Sequence, residues 1–201
     1  MNLSTVPDGL LAESFPRGLR DIHIVATQLA TLPTALHRVW RDPINLYLER
    51  NRLTEVPKTV VAMATSLERL SLFGNDLTRV PDELLDADST LSVASFARNP
   101  RLRIEDVPTV AGTRLQALLL DGTNVSSVPS WLEDAAASGM YVSLGATPVC
   151  SQPLQAAAQS EADDVHAALH GGLSCRVKPE DEIEAYAFAQ NLRDRVAKPP
   201  S

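Results

Sequence analysis

Asparagine stands at positions 51, 75 and 99, and threonine continues the same 24-residue spacing at 27, 123 and 147. Around the middle of this ladder the chain reads LERLSLFGNDLTRVP, with Leu67, Leu70, Leu72, Asn75, Leu77, Val80 and Pro81 forming the pattern LxxLxLxxNxLxxVP. Few features constrain a fold more than a fixed period of this size. One unit of 24 residues cannot bury its own apolar face, so the units must stack and share a continuous core.

The other units match the pattern in part. Leu3, Val6 and Pro7 read as the second half of a repeat, followed by a linker containing Phe15 and Pro16. A solenoid that opens there exposes its first core face, which reads as a fragment or processed domain. The first full repeat carries Leu19, Ile22, Ile24, Thr27, Leu29, Leu32 and Pro33; the second carries Leu46, Leu48, Asn51, Leu53, Val56 and Pro57. In the second, Pro43 replaces the first leucine, at what reads as the strand's first residue, where a missing N–H costs least. The fourth departs furthest: Leu91, Ala94, Phe96 and Asn99 fit, but Pro100 interrupts the turn, and Val107-Pro108 falls three residues late. The fifth, with Leu115, Leu118, Leu120, Thr123, Val125, Val128 and Pro129, restores the pattern; the sixth keeps Val142, Leu144 and Thr147.

In each LxLxx segment alternate leucines point inward from a short strand, and the residues between them point out. Stacking pairs the strands into a parallel sheet. The asparagine amide can donate and accept, and so satisfies the turn leaving the strand; unpaired burial would cost roughly 2 kcal/mol. Threonine does this less well, which predicts a looser ladder towards the ends. After each strand a proline precedes an apolar-spaced stretch (TALHRVW, KTVVAMA, DELLDA, SWLEDAAA), read as short helices or 3₁₀ turns with proline at the first helical position.

On these residues the chain resembles the leucine-rich repeat family from about Leu3 to Cys150. The resemblance implies an α/β solenoid of about six repeats over residues 1–150, the first partial, with a parallel sheet on the concave face and short helices on the convex face. It also implies recognition of a protein or peptide by the concave face.

From Ser151 the pattern changes. LQAAAQSEADDVHAALHGG is helix-forming, and a second helix is predicted from Pro179, acidic at its start and basic at its end. Residues 151–201 therefore read as a helical C-terminal cap. Cys150 and Cys175 flank the first of these helices, a placement that resembles the cysteine-bearing caps of extracellular leucine-rich repeat proteins. That resemblance implies a disulfide, worth about 3 kcal/mol for a loop of this size. Two separate buried thiols in a reducing compartment are the alternative. The first reading implies a receptor ectodomain or secreted protein at the cell surface, with flanking domains or repeats beyond this piece. The second implies a cytoplasmic scaffold.

The net charge of -7 and the lack of any Lys/Arg cluster argue against a nucleic-acid partner. No run of 18 apolar residues spans a membrane. The sequons at Asn2 and Asn124 permit glycosylation, but so short a motif arises readily by chance. His166 and His170 lie one helical turn apart but have no third ligand, and no nucleophile motif accompanies them, so no metal, cofactor or chemical step is expected.

The outward strand residues are left as candidates for binding: His23, Tyr47, Glu49, Arg69, Ser71, Phe73, Ser95, Arg98, Leu119, Asp121 and Tyr141. Aromatic residues beside Arg50, Arg69 and Arg98 have the composition of interaction hot spots. Alternation predicts that Tyr47, Phe73 and Leu119 are exposed.

Overall fold

The computed structural model of the chain describes residues 4–16, 18–41, 43–107, 112–151 and 172–177. Its strands are β1 (Asp21–His23), β2 (Asn45–Tyr47), β3 (Arg69–Ser71), β4 (Val93–Ser95), β5 (Ala117–Leu119), β6 (Tyr141–Ser143) and β7 (Leu173–Ser174). They form one parallel sheet whose strand order is the chain order. From β1 to β6 the register advances by one period per step, placing Ile22, Leu46, Leu70, Ala94, Leu118 and Val142 side by side. The period in the sequence is thus the register of a sheet, and the architecture is α/β and solenoid-like.

Four helices, α1 (Asp8–Leu11), α2 (Lys58–Ala62), α3 (Ser130–Ala137) and α4 (Pro148–Ser151), alternate with 3₁₀ turns at Leu36–Arg38 and Asp82–Leu84. All four stretches predicted to be helical are so. In three of them the proline stands one position earlier than expected, at the N-cap rather than inside the helix; the Leu36–Arg38 turn has Ala35 there instead. Pro57, Pro81 and Pro129 keep extended backbone, and their carbonyls accept the first-turn N–H groups of Val60, Leu84 and Leu132. Pro43 likewise precedes its strand, so the sheet loses no donor.

One continuous core lies between the sheet and these helices and turns, containing Leu46, Leu48, Leu70, Leu72, Phe96 and Leu118. Each such leucine or phenylalanine contributes roughly 2 kcal/mol or more by leaving water. In the fourth repeat Leu102 and Ile104 supply the interior side chains that Pro100 displaces from the pattern; both are buried. At the β1 end, Val6 and Phe15 are buried in the same core, and Trp40 donates its Nε1–H to the Leu10 carbonyl at 3.0 Å. The first core face is therefore covered by residues 6–15, contrary to the expectation that it lies bare. Leu19, expected inside, is instead 40% exposed.

The asparagine ladder works as its chemistry suggests. Asn75 Nδ2 donates to the carbonyls of Leu48 and Leu72, both at 2.9 Å, and its Oδ1 accepts from Leu53 N–H at 3.1 Å. Asn99 repeats this between Leu72, Phe96 and Leu77, and Asn51 reaches Ile24 and Thr27. Thr123 and Thr147 direct their hydroxyls to the carbonyl three residues back, at 2.6 Å, within their own repeat. The side-chain bonds between turns are thus concentrated where asparagine stands.

Both predicted tail helices lie outside the described residues. What the structure does show in the tail is β7, which the sequence reading missed. Val142 N–H donates to the Gly172 carbonyl at 2.8 Å, and Gly172 N–H donates to that of Ala136. A Cβ on Gly172 would lie 2.1 Å from the Met140 carbonyl, so only glycine admits the returning chain. Cys150 and Cys175 are joined by a disulfide with their Cα atoms 5.5 Å apart. The bridge ties α4 to the residue that follows β7.

Candidate recognition surface

Because side chains alternate along a strand, the face of the sheet away from the core carries three columns of residues. The first runs Asp21, Asn45, Arg69, Val93, Ala117, Tyr141; the second His23, Tyr47, Ser71, Ser95, Leu119, Ser143. The third, just past the strand ends, runs Val25, Glu49, Phe73, Ala97, Asp121, Gly145. All the sequence-predicted binding residues fall in these columns except Arg98, which lies one position further on.

That further position forms a fourth column, absent from the sequence reading. Ala26, Arg50, Gly74, Arg98, Gly122 and Ala146 all have φ between 51° and 66°. The left-handed turn is a property of the repeat, tolerated by alanine and arginine at a cost and by glycine at none. The glycines have a second role. A Cβ on Gly74 would lie 3.3 Å from Arg50 Cγ, and one on Gly122 would lie 3.0 Å from Arg98 Cδ. Each arginine stem therefore crosses the glycine of the next repeat. Arg50 ends with its guanidinium 5.9 Å from the centre of the Phe73 ring, a cation–π distance. The signal was present in the sequence as glycines two periods apart, each one period after an arginine.

The expectation of exposed aromatic residues is corrected. Tyr47 is 6% and Phe73 2% exposed, and Leu119 is half-buried. Phe73, Ala97 and Leu119 form a small apolar cluster of their own, separate from the main core. Alternation tells which side of the sheet a residue takes, but neighbouring strands are only about 4.8 Å apart, so large side chains on one face shield each other. Glu49, Ser71, Ser95 and Asp121 are buried among them; His23 and Arg98 are exposed, and Arg69 and Tyr141 half-buried.

The β1–β3 end carries most of the charge and the rings. His23 and Tyr47 pack with ring centres 4.5 Å apart. Burial lowers the His23 pKa, partly opposed by the Asp21 carboxylate, and raises that of Tyr47 against the pull of Arg69, which hydrogen-bonds to it. Asn45 Nδ2 donates to Asp21 Oδ1 at 2.5 Å. Burial pushes Glu49 up to about 7, eased by the neighbouring Ser71 hydroxyl and by Arg50. Neither Glu49 Oε1 nor Ser71 Oγ completes a hydrogen bond of good geometry. At the other end, Asp121 Oδ1 accepts from Ser143 Oγ at 2.8 Å and from Gly145 N–H at 3.2 Å.

Among the described residues, five buried side-chain polar atoms lack a hydrogen-bond partner. Four of them, Asn45 Oδ1, Glu49 Oε1, Ser71 Oγ and Ser95 Oγ, lie on this face across β2, β3 and β4. Such groups are costly in a sealed interior.

On the side of the helices and turns, a groove of about 630 Å³ runs past Val56, Val61, Val80 and Val107 with charges of both signs at its rim. No group of His, Cys, Asp or Glu among the described residues is placed to hold a metal ion, and no described helix is long and apolar enough to cross a membrane. His166 and His170 lie outside the described residues. Compared with known proteins, the chain matches no family model and no curated sequence.

Proposed function

We propose that this chain is a recognition module of the leucine-rich repeat type, binding a protein or peptide on the open, concave face of its sheet without a chemical step. The observation that carries the reading is the gathering of rings and arginines on that face: His23 against Tyr47, and Arg50 over Phe73, with Arg69 and Arg98 alongside. The Cys150–Cys175 bridge supports an oxidising location, in a receptor ectodomain or a secreted protein.

The test is a displayed-peptide selection on the full chain, followed by retesting the winners against two double variants. His23→Ala with Arg69→Ala trims the open face at accessible positions, whereas Tyr47 and Phe73 are too buried to trim without disturbing the fold. Lys58→Ala with Glu83→Ala trims the convex side, where both residues are exposed. The expected result is a loss of about tenfold or more in the first variant and about twofold or less in the second. The reverse ranking would move the site to the convex side.

A further inference from the structure

The accessible charge on the open face has the opposite sign to the chain. The protein carries a net charge of -7, yet this face exposes Arg50 and Arg98, with Arg69 half-buried between them. Two of its three carboxylates are withdrawn. Glu49 and Asp121 are each 2% exposed. Asp121 is occupied by Ser143 and Gly145, and Asp21, the exposed one, accepts from Asn45. Glu49, pushed up to about 7, holds only a partial charge at neutral pH.

The arginines are also held in place. Arg50 and Arg98 occupy equivalent backbone positions two repeats apart, each in a left-handed turn, each with its stem laid across the missing side chain of the following glycine. Two inter-strand steps separate them by roughly 10 Å. That is the span of three residues of extended chain. A guanidinium presents a fork that matches a carboxylate in two hydrogen bonds, and a stem already ordered loses less freedom on binding.

We infer that the partner of this face is an acidic peptide segment, with two carboxylates about 10 Å apart seated on Arg50 and Arg98. The inference rests on the recognition reading above and adds the partner's chemistry to it.

The experiment uses the selected peptides as fluorescein-labelled probes, in anisotropy titrations against the full chain and its Arg50→Glu/Arg98→Glu variant. Folding of the variant is checked by circular dichroism, and Arg98→Lys serves as a milder variant that keeps the charge and removes the fork. The inference expects winners rich in Asp or Glu at a three-residue spacing. Their affinity should fall about tenfold or more in the double reversal, with lysine-substituted probes then preferred. Arg98→Lys should lose a smaller factor. Basic or uncharged winners that still depend on His23 and Arg69 would overturn the acidic partner and leave the open face as the site. Acidic winners indifferent to both sets of open-face variants would overturn both readings.

Discussion

Glu49 and Asp121 stand at the same place in the repeat, three periods apart, and are equally buried, yet the structure treats them differently. Each has a serine 22 residues ahead, Ser71 and Ser143. Asp121 accepts from its serine and from the Gly145 backbone. Glu49 is one methylene longer, and the position that is Gly145 beside Asp121 is Phe73 in its own next repeat. The short carboxylate reaches two donors; the long one completes no bond of good geometry at Oε1 and is pushed up to about 7. Burial alone therefore does not decide whether a carboxylate is satisfied. Side-chain length and the next repeat's side chain decide it together. The consequence is a sheet face with one closed end and one unfinished end, and the unfinished end is where the rings and Arg50 gather.

The sharpest way to break this contrast is to spoil the closed end. Gly145→Ala puts a Cβ 2.8 Å from Asp121 Oδ1 and 2.6 Å from the Arg176 carbonyl. We expect a loss of about 3 kcal/mol in urea unfolding, and an unchanged midpoint would show that β6 and β7 can separate freely. Asp121→Ala strands Ser143 Oγ and the Gly145 N–H, and should cost about 2 kcal/mol.

Glu49→Gln should act in the opposite direction, by an amount that grows as pH rises from the ordinary glutamate value towards 7. The folded-state pKa of Glu49 is raised to about 7. The wild-type protein therefore keeps its full stability below the ordinary glutamate value, loses it progressively as pH rises from there to about 7, and changes little beyond. At pH 8 the variant should be about 2 kcal/mol more stable, and at pH 4 equal. A pH-independent difference between the two would show that Glu49 does not titrate in this range.

The smallest effect should come from Glu105, a carboxylate well supplied with donors. Burial alone would raise its pKa, but bonds from Ser126 N–H at 2.7 Å, the Ser126 hydroxyl at 2.8 Å and Ile104 N–H at 3.1 Å hold it at about 2. Its contribution is present above the ordinary glutamate value and lost as pH falls through 2. After allowance for solvent screening, Glu105→Gln should cost about 1 kcal/mol at pH 6 and nothing near pH 2. An equal cost at both pH values would point to lost packing rather than lost charge.

The parts of this fold that were legible in the sequence are those that repeat with one residue type. Asn51, Asn75 and Asn99 and the leucines around them announce strands, register and turn bonding because one side chain does one task at each site. The left-handed column at Ala26, Arg50, Gly74, Arg98, Gly122 and Ala146 was hidden by its mixed chemistry, although its backbone is the most uniform feature of the turns. β7 was hidden for a different reason: its step from β6 is 31 residues rather than 24, so the period does not reach it. Tyr47 and Phe73 were placed on the correct side of the sheet but wrongly expected to be exposed, because alternation carries no information about how far neighbours cover them.

The bridge from Cys150 to Cys175 has a topological consequence beyond its stability. It closes a ring of chain whose two ends are the last turn of the regular repeats and the strand that completes the sheet. A single cut at any peptide bond inside that ring divides the sequence but not the molecule. Cleaved protein should therefore migrate as one species until reductant is added, and β7 should keep its place beside β6. Whatever follows residue 175 stays tethered to the sheet through sulfur, not only through the backbone.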